Sequence, residues 1–124
     1  MNAPAHTTQL LARPVPQALL DALSQRFGTQ YSSALAVRAQ HGRDEGSIEA
    51  PPPAAVVFAE SRQDVQDAVR LAAQHAVPVI AYAAGSSLEG HLLAVQGGIS
   101  IDVNRMNRVL SIDADDLTVT VQPG

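Results

Sequence analysis

The segment best suited to chemistry is a loop of small residues, Ala83–Gly90, which we call the glycine–serine loop. It directly follows the β-branched run Val77–Ile80 and carries the hydroxyl groups of Ser86 and Ser87. Successive backbone N–H groups in tight turns form concave sites for anions, above all phosphate, and small side chains let a pyrophosphate approach the backbone closely. The loop is therefore a candidate phosphate site, although an ordinary turn between two strands is the simpler interpretation of its composition.

Two common phosphate-binding motifs are excluded by the residues themselves. Gly85 and Gly90 have the spacing of a Walker A loop, but His91 and Leu92 stand where that motif requires Lys followed by Ser or Thr. No Gly-x-Gly-x-x-Gly occurs in the chain, so the dinucleotide fingerprint of the Rossmann fold is absent.

The composition removes several further classes of chemistry. All eight basic residues are Arg, which excludes Schiff-base and P-loop lysine chemistry, and the lack of Cys excludes disulfides, thiolate metal sites and cysteine nucleophiles. A net charge of −4 argues against a nucleic-acid surface. No apolar run approaches the ~20 residues of a membrane helix, and residues 1–15 do not have the pattern of a secretory signal. We therefore expect a cytoplasmic protein that reaches a membrane only through partners.

A β-α-β unit is predicted just before the loop. Ala55–Phe58 is a short apolar strand, and Arg62–His75 has helical apolar spacing, with Ser61 as its N-cap and Asp64 three residues later. Val77–Ile80 follows as a second strand, parallel to the first because a helix connects them. The glycine–serine loop then lies at the carboxyl end of a parallel strand, where open α/β sheets bind ligands.

The flanking segments complete an α+β (α/β) pattern. Pro16 and Gly28 bracket a stretch of helical apolar spacing, whereas residues 1–14 are expected to be disordered. The charged segment 41–45 is expected to be exposed and to have no catalytic role. Beyond the loop, three apolar runs are predicted to be strands, with a turn at 113–116 between the last two: Ile99–Val103, Val109–Ile112 and Leu117–Val121.

Several motifs between residues 35 and 124 occur in a specific order. The loop follows the aromatic Tyr82 and ends in Leu88-Glu89-Gly90, and Gly97-Gly98 introduces an apolar strand that ends in Asp102. Met106-Asn107 follows, and the chain closes on Val121-Gln-Pro-Gly124. This order resembles the FAD-binding domain of the vanillyl-alcohol oxidase (PCMH-type) flavoproteins, and within them the branch of D-lactate dehydrogenase (cytochrome) and glycolate oxidase.

Two positions depart from the family's loop, which is typically Pro-Phe-Gly-x-Gly-Thr-Ser/Gly-Leu-Glu-Gly. Ala81 replaces the usual proline, and Ala83 replaces the usual first glycine. The second departure matters more, because a Cβ at a position that needs positive φ costs about 1 kcal/mol.

The resemblance implies that the loop holds the pyrophosphate of FAD through backbone N–H groups and serine hydroxyls, with Leu88 packed beneath it. Ser86 stands where some relatives carry the His that links FAD covalently, so the resemblance implies noncovalent FAD. No catalytic or metal-binding residue is expected within the chain. The implied cofactor-binding residues are Tyr82, Ala83, Ala84, Gly85, Ser86, Ser87, Leu88, Gly90, Pro123 and Gly124.

The resemblance also implies an oxidoreductase that oxidises a D-2-hydroxy acid of the D-lactate or glycolate type and passes electrons to a cytochrome or quinone-type acceptor. In that branch the catalytic residues and a divalent metal lie downstream of residue 124. We therefore expect an N-terminal portion of a longer protein, inactive alone, with a tail and helical segment at 1–50 and a truncated FAD-binding domain at 51–124. Two alternatives stay open: an FAD enzyme of the same superfamily with another substrate, and a non-catalytic β-α-β module.

Overall fold

The computed structural model describes residues 12–124 and is built around a four-stranded sheet. Residues 1–11, most of the segment expected to be disordered, lie outside the described residues. Arg13 departs from that expectation, because its N–H donates to the carbonyl of Gln96 at 3.0 Å. The elements are α1 (Gln17–Phe27), a 3-10 turn (Gly28–Gln30), β1 (Tyr31–Ser32), α2 (Leu35–Gln40), β2 (Ala55–Phe58), α3 (Arg62–Gln74), β3 (Val79–Tyr82), β4 (Ile99–Asp102), β5 (Val109–Asp113) and β6 (Thr118–Val121).

The sheet has the strand order β1-β2-β4-β3. β2 and β3 each pair in parallel with β4, while β1 pairs antiparallel with β2. The predicted parallel orientation of the two strands of the β-α-β unit is confirmed, but the two strands are not neighbours, because β4 lies between them. The glycine–serine loop therefore leaves the carboxyl end of β3 at the edge of a parallel sheet and leads back to its centre.

The third strand begins two residues later than predicted, at Val79 instead of Val77. The reason lies at the end of α3. Ala76 adopts a left-handed conformation with φ of 52°, and the N–H of Val77 donates back to the carbonyl of Ala72 at 3.0 Å. Val77 thus completes the helix end, and pairing with β4 starts when Ile99 donates its N–H to the carbonyl of Pro78.

One face of the sheet packs against α1 and α3. The predicted N-cap of α3 is confirmed, since Ser61 Oγ accepts the N–H of Asp64 at 3.2 Å. Arg26 of α1 bridges to Asp67 at 2.7 Å and joins the two helices. The buried core contains residues from both of the expected segments, 1–50 and 51–124. It comprises Leu19, Leu23, Phe27, Ala55, Val57, Ala59, Ala68, Ala72, Ile99, Ile101 and Met106.

The opposite face of the sheet has a different character because side chains alternate along a strand. Ile99 and Ile101 of β4 enter the apolar core, so Ser100 and Asp102 point the other way, and both are buried. The end of α2 lies against this second face. The second face therefore offers buried polar groups at the same sheet edge as the glycine–serine loop.

β5 and β6 form a separate antiparallel hairpin, as the two apolar runs predicted. Its turn is made by Asp113, whose carboxylate accepts the N–H groups of Asp115 at 3.1 Å and Asp116 at 2.9 Å. Every residue of both strands is exposed. The hairpin is joined to the preceding chain at its base, where Gly124 donates its N–H to the carbonyl of Met106 at 2.8 Å.

Candidate functional site

The glycine–serine loop borders an open groove of about 740 Å³ at the carboxyl end of the sheet. The groove brings together eight of the ten residues that the sequence predicted, with the loop on one side and Pro123 from the end of the chain on the other. Its lining residues are Ala81, Tyr82, Ala83, Ala84, Gly85, Ser86, Ser87, Leu88, Glu89, His91, Leu92, Val103 and Pro123.

Two predicted residues, Gly90 and Gly124, do not line the groove. The N–H of Gly90 donates to Asp44 Oδ2 at 2.9 Å, and its φ is 77°. The N–H of Gly124 is used at the base of the hairpin, and an added Cβ there would overlap the carbonyl of Val103. Both glycines thus make close backbone contacts that shape the surroundings of the groove.

The loop presents backbone donors for which the described part of the chain offers no acceptor. Within residues 12–124, no acceptor is hydrogen-bonded to the N–H groups of residues 84–88. These donors belong to a short loop whose side chains are small except for Leu88 and Glu89. Free N–H groups clustered in a turn are the donor set that an anionic group such as a pyrophosphate requires. The residues therefore fit the phosphate chemistry that the sequence predicted.

Gly85 fixes the conformation of the loop. Its φ is 72°, and an added Cβ would overlap the hydroxyl of Tyr82. Tyr82 itself is 8% exposed, so its ring has little room to move away. Ala83 adopts no positive φ, since the non-glycine residues that do so within the described chain are Ala76 and Leu117. The departure at Ala83 therefore brings no backbone strain.

The side chain of Ser87 is hydrogen-bonded within the protein, whereas those of Ser86 and Leu88 are exposed. Ser87 Oγ is hydrogen-bonded to His91 Nδ1 at 3.0 Å and accepts the N–H of Glu89 at 3.3 Å, while Ser86 is exposed. The expectation that Leu88 packs beneath the loop is wrong, because this side chain is 66% exposed. The leucines that follow the loop, Leu92 and Leu93, are buried instead.

His41 corrects a second expectation, that segment 41–45 is an exposed charged stretch. Its side chain is 3% exposed, and the residue is the C-cap of α2. Nε2 lies 2.8 Å from Asp102 Oδ2, and Nδ1 lies 2.8 Å from the carbonyl oxygen of Val37. The ring also packs at a centroid distance of 4.2 Å from Tyr82 and edge-on to Phe58 at 5.7 Å. Phe58, Asp102 and Tyr82 are neighbours across the last rung of β2, β4 and β3.

The partners of His41 determine its protonation. The carbonyl of Val37 accepts only, so Nδ1 carries a proton, and an ionised Asp102 requires a second proton on Nε2. Burial lowers the pKa of His41, but hydrogen bonds to Asp102 and Val37 and the attraction of Asp102 outweigh it, so the pKa is raised. Burial raises the pKa of Asp102, but the hydrogen bonds from His41 and Asn104 have the larger combined effect, so the pKa is lowered. Imidazolium and carboxylate thus form a buried ion pair.

No local signal in the sequence pointed to Asp102 or His41. Asp102 ends an apolar strand, and its partner lies 61 positions away. Among residues 12–124, no group of three or more His, Asp or Glu side chains could hold a metal ion. No helix in the described part of the chain is long and apolar enough to cross a membrane.

Comparison with known proteins agrees with this geometry. Residues 53–124 match the FAD binding domain family. The chain is 38% identical over 89 residues to a probable mitochondrial D-lactate dehydrogenase of Danio rerio, covering 72% of this chain and 18% of the relative. It is 31% identical over 114 residues to a mitochondrial D-lactate dehydrogenase (cytochrome) of Arabidopsis thaliana, covering 90% and 20%. A glycolate oxidase subunit of Bacillus subtilis is 32% identical over 72 residues, covering 58% and 15%.

Solved structures share the fold. An alkyldihydroxyacetonephosphate synthase superposes with a TM-score of 0.74 at 22% identity, covering 90% of this chain and 23% of that enzyme. A p-cresol methylhydroxylase superposes with a TM-score of 0.68 at 23% identity, covering 83% and 22%. The chain spans about a fifth of the length of these relatives. The chain belongs to the FAD binding domain family, is similar in sequence to D-lactate dehydrogenase and glycolate oxidase, and has the fold of the vanillyl-alcohol oxidase (PCMH-type) flavoproteins.

Proposed function

We propose that this chain is the part of a flavin-dependent oxidoreductase that holds the pyrophosphate of noncovalently bound FAD in the glycine–serine loop. The observation that carries the proposal is the set of free N–H groups at residues 84–88, at the carboxyl end of a parallel sheet. Parallel sheets bind ligands at this end, and such backbone donors stabilise phosphate charge without a lysine. Bound FAD would supply the two-electron chemistry, since the cofactor rather than the protein carries it.

The proposed roles of the residues follow from their contacts. The small residues 83–87 let the pyrophosphate approach the backbone, and the hydroxyls of Ser86 and Ser87 add donors. Gly85 allows the loop to close over Tyr82. Leu88 and Pro123 line the groove and give it apolar contact area. Ser86 stands where some relatives carry the His that links FAD and lacks the imidazole nitrogen that forms that link, which supports noncovalent binding.

For the whole protein we propose oxidation of a D-2-hydroxy acid of the D-lactate or glycolate type, with electrons passed to a cytochrome or quinone-type acceptor. The names of the relatives support this substrate class. The proposal includes a cytoplasmic protein, peripheral to a membrane through its acceptor, although two relatives are named mitochondrial. The divalent metal implied by the resemblance stays a prediction for residues downstream of 124.

An alternative substrate is favoured by one observation. The fold also superposes on an alkyldihydroxyacetonephosphate synthase, which shows that this architecture serves other chemistry. The test is reduction of an artificial dye by the full-length protein with D-lactate, L-lactate, glycolate or D-2-hydroxyglutarate. It separates a D-2-hydroxy-acid substrate from a substrate of another class. Dye reduction with the D-acids supports the proposal. Tight FAD binding without dye reduction by any of these acids contradicts the substrate class while leaving FAD binding intact.

A further inference from the structure

We propose that the buried His41–Asp102 ion pair is a positioning device for the glycine–serine loop, and that it makes the affinity for FAD depend on pH. This inference rests on the proposed function, because it assigns a role to residues that lie beneath the loop rather than in the groove. Neither side chain lines the groove.

The first connection runs from Asp102 to the start of the loop. Oδ2 of Asp102 faces His41, while Oδ1 accepts the backbone N–H of Asn104 at 2.8 Å and its side-chain amide at 2.9 Å. The same amide donates to the carbonyl of Ala83 at 2.6 Å. Any movement of the Asp102 carboxylate therefore moves Asn104 and, through it, the first peptide of the loop.

The second connection is the tyrosine. The ring of His41 packs on Tyr82, and the hydroxyl of Tyr82 lies against Gly85. A change in the position of His41 is thus transmitted to the middle of the loop through a buried ring.

The third connection is the chain that follows His41. Asp44 Oδ2 accepts the N–H of Gly90 at 2.9 Å, and the N–H of Glu45 donates to the carbonyl of Ser87 at 3.0 Å. Because His41 anchors the start of this segment, it also sets where these two contacts hold the end of the loop. The ion pair therefore fixes the loop at its beginning, middle and end.

The protonation of His41 controls these contacts. The titratable groups in contact with it are Asp102 on β4 and Tyr82 on β3, and the charges of Arg43 and Glu45, on the segment after α2, act on Tyr82. When His41 loses one of its two ring protons, one nitrogen becomes an acceptor that faces another acceptor, either the Asp102 carboxylate or the Val37 carbonyl, and the two repel. Although burial lowers the pKa of His41, the hydrogen bonds to Asp102 and Val37 and the charge of Asp102 raise it overall, which extends the pH range over which the ion pair is intact. As the pH rises through that pKa, we expect the loop to loosen and FAD affinity to fall.

The test is FAD affinity as a function of pH, from about pH 6 to about pH 9, for the full-length protein and its variants. His41→Phe keeps a ring against Tyr82 but removes both hydrogen bonds, and Asp102→Asn removes the charge of the partner. We expect each to bind FAD about tenfold more weakly than wild type at the lower pH, because His41→Phe leaves the buried Asp102 carboxylate without its partner and Asp102→Asn removes the charge-assisted hydrogen bond. We also expect each to lose the pH dependence. His41→Gln, which retains an amide donor, should recover part of the affinity but none of the pH dependence.

Asp64→Asn is the matched control. Asp64 is also a buried carboxylate with backbone and side-chain hydrogen bonds, but it lies in the first turn of α3, where it accepts from Arg26 of α1, on the other face of the sheet. We expect this variant to lose fold stability without a change in FAD affinity or in its pH profile.

The outcomes separate the two proposals. If wild-type protein binds FAD and His41→Gln and Asp102→Asn bind it equally well with the same pH profile, the positioning role is wrong and the proposed function stands. Equal weakening by Asp64→Asn would also overturn the positioning role, since general destabilisation would then explain the result. If wild-type protein does not bind FAD, the proposed function fails and this inference fails with it.

Discussion

Gly85 is the residue of the loop whose replacement meets two separate obstacles. Its φ of 72° disfavours any side chain, and an added Cβ would also overlap the buried hydroxyl of Tyr82. Gly28 offers a matched control, since it has a φ of 52° but no heavy atom within 4 Å of an added Cβ. The two positions therefore separate backbone strain from displacement of Tyr82.

We predict that Gly28→Ala lowers the free energy of unfolding by about 1 kcal/mol, the cost of a Cβ at positive φ, and leaves FAD affinity unchanged. Gly85→Ala should lower stability further and weaken FAD binding, because Tyr82 must shift. Gly85→Val should weaken binding more, since a branched Cβ also crowds the pyrophosphate. Chemical denaturation and flavin titration measure the two effects. Unchanged FAD affinity in both Gly85 variants would remove the loop from the cofactor site.

At the scale of single residues, the sequence predicted the loop because its chemistry is local. Small residues, two serines and two glycines within eight positions are visible without a structure. His41 was not predictable, since it lies in a charged stretch and its partner Asp102 ends an apolar strand 61 positions later. Leu88 was predicted wrongly because apolar character alone does not say which way a loop side chain points.

At the scale of elements, α3 depends on a capping interaction that can be tested directly. Ser61 Oγ accepts the N–H of Asp64, and the Asp64 carboxylate accepts the N–H of Glu60 at 3.0 Å. We predict that Ser61→Ala lowers the free energy of unfolding by about 1 kcal/mol, as loss of an N-cap does. Ser24→Ala, at an exposed position inside α1, is the control and should have little effect or stabilise slightly. Equal stability of Ser61→Ala and wild type in urea would contradict the capping role.

The predictability of the elements follows from their length and from how local their signals are. β2 and α3 were predicted well because an apolar run, a cap and a helical stripe lie in one continuous segment. β1 and α2 were missed, since elements of two and six residues have too few positions to show a period and depend on tertiary contacts. The order β1-β2-β4-β3 was equally hidden, because β4 pairs with strands that are distant in sequence.

At the scale of the whole molecule, the hairpin of β5 and β6 leaves a large apolar surface exposed. Ile112 and Val119 are opposite each other across the two strands and are 76% and 57% exposed. Exposed apolar strands pair with other chains. We predict that residues 1–124 prepared alone self-associate as the protein concentration rises, and that replacing both residues by Thr reduces the association. Leu35→Thr, on the exposed side of α2, is the control. Sedimentation that shows a monomer for the wild-type segment at all concentrations would contradict this prediction.

The open shape of the groove determines whether residues 1–124 alone suffice for FAD binding. The groove is open and its lining consists of the loop and a few residues near it. In the proposed complex such a surface would contact the pyrophosphate but would enclose neither the adenine nor the flavin ring. We therefore expect the isolated segment to bind FAD weakly and to oxidise no 2-hydroxy acid.

The most direct test of the account is the state of the flavin in the full-length protein. We predict that the purified protein contains about one FAD per polypeptide, since the cofactor carries the chemistry. Precipitation with acid should release the yellow flavin into the supernatant, because the proposed binding through N–H groups is noncovalent. Flavin that stays with the precipitated protein would contradict noncovalent binding. A protein without flavin that also fails to bind added FAD would contradict the central claim that the glycine–serine loop is a cofactor site.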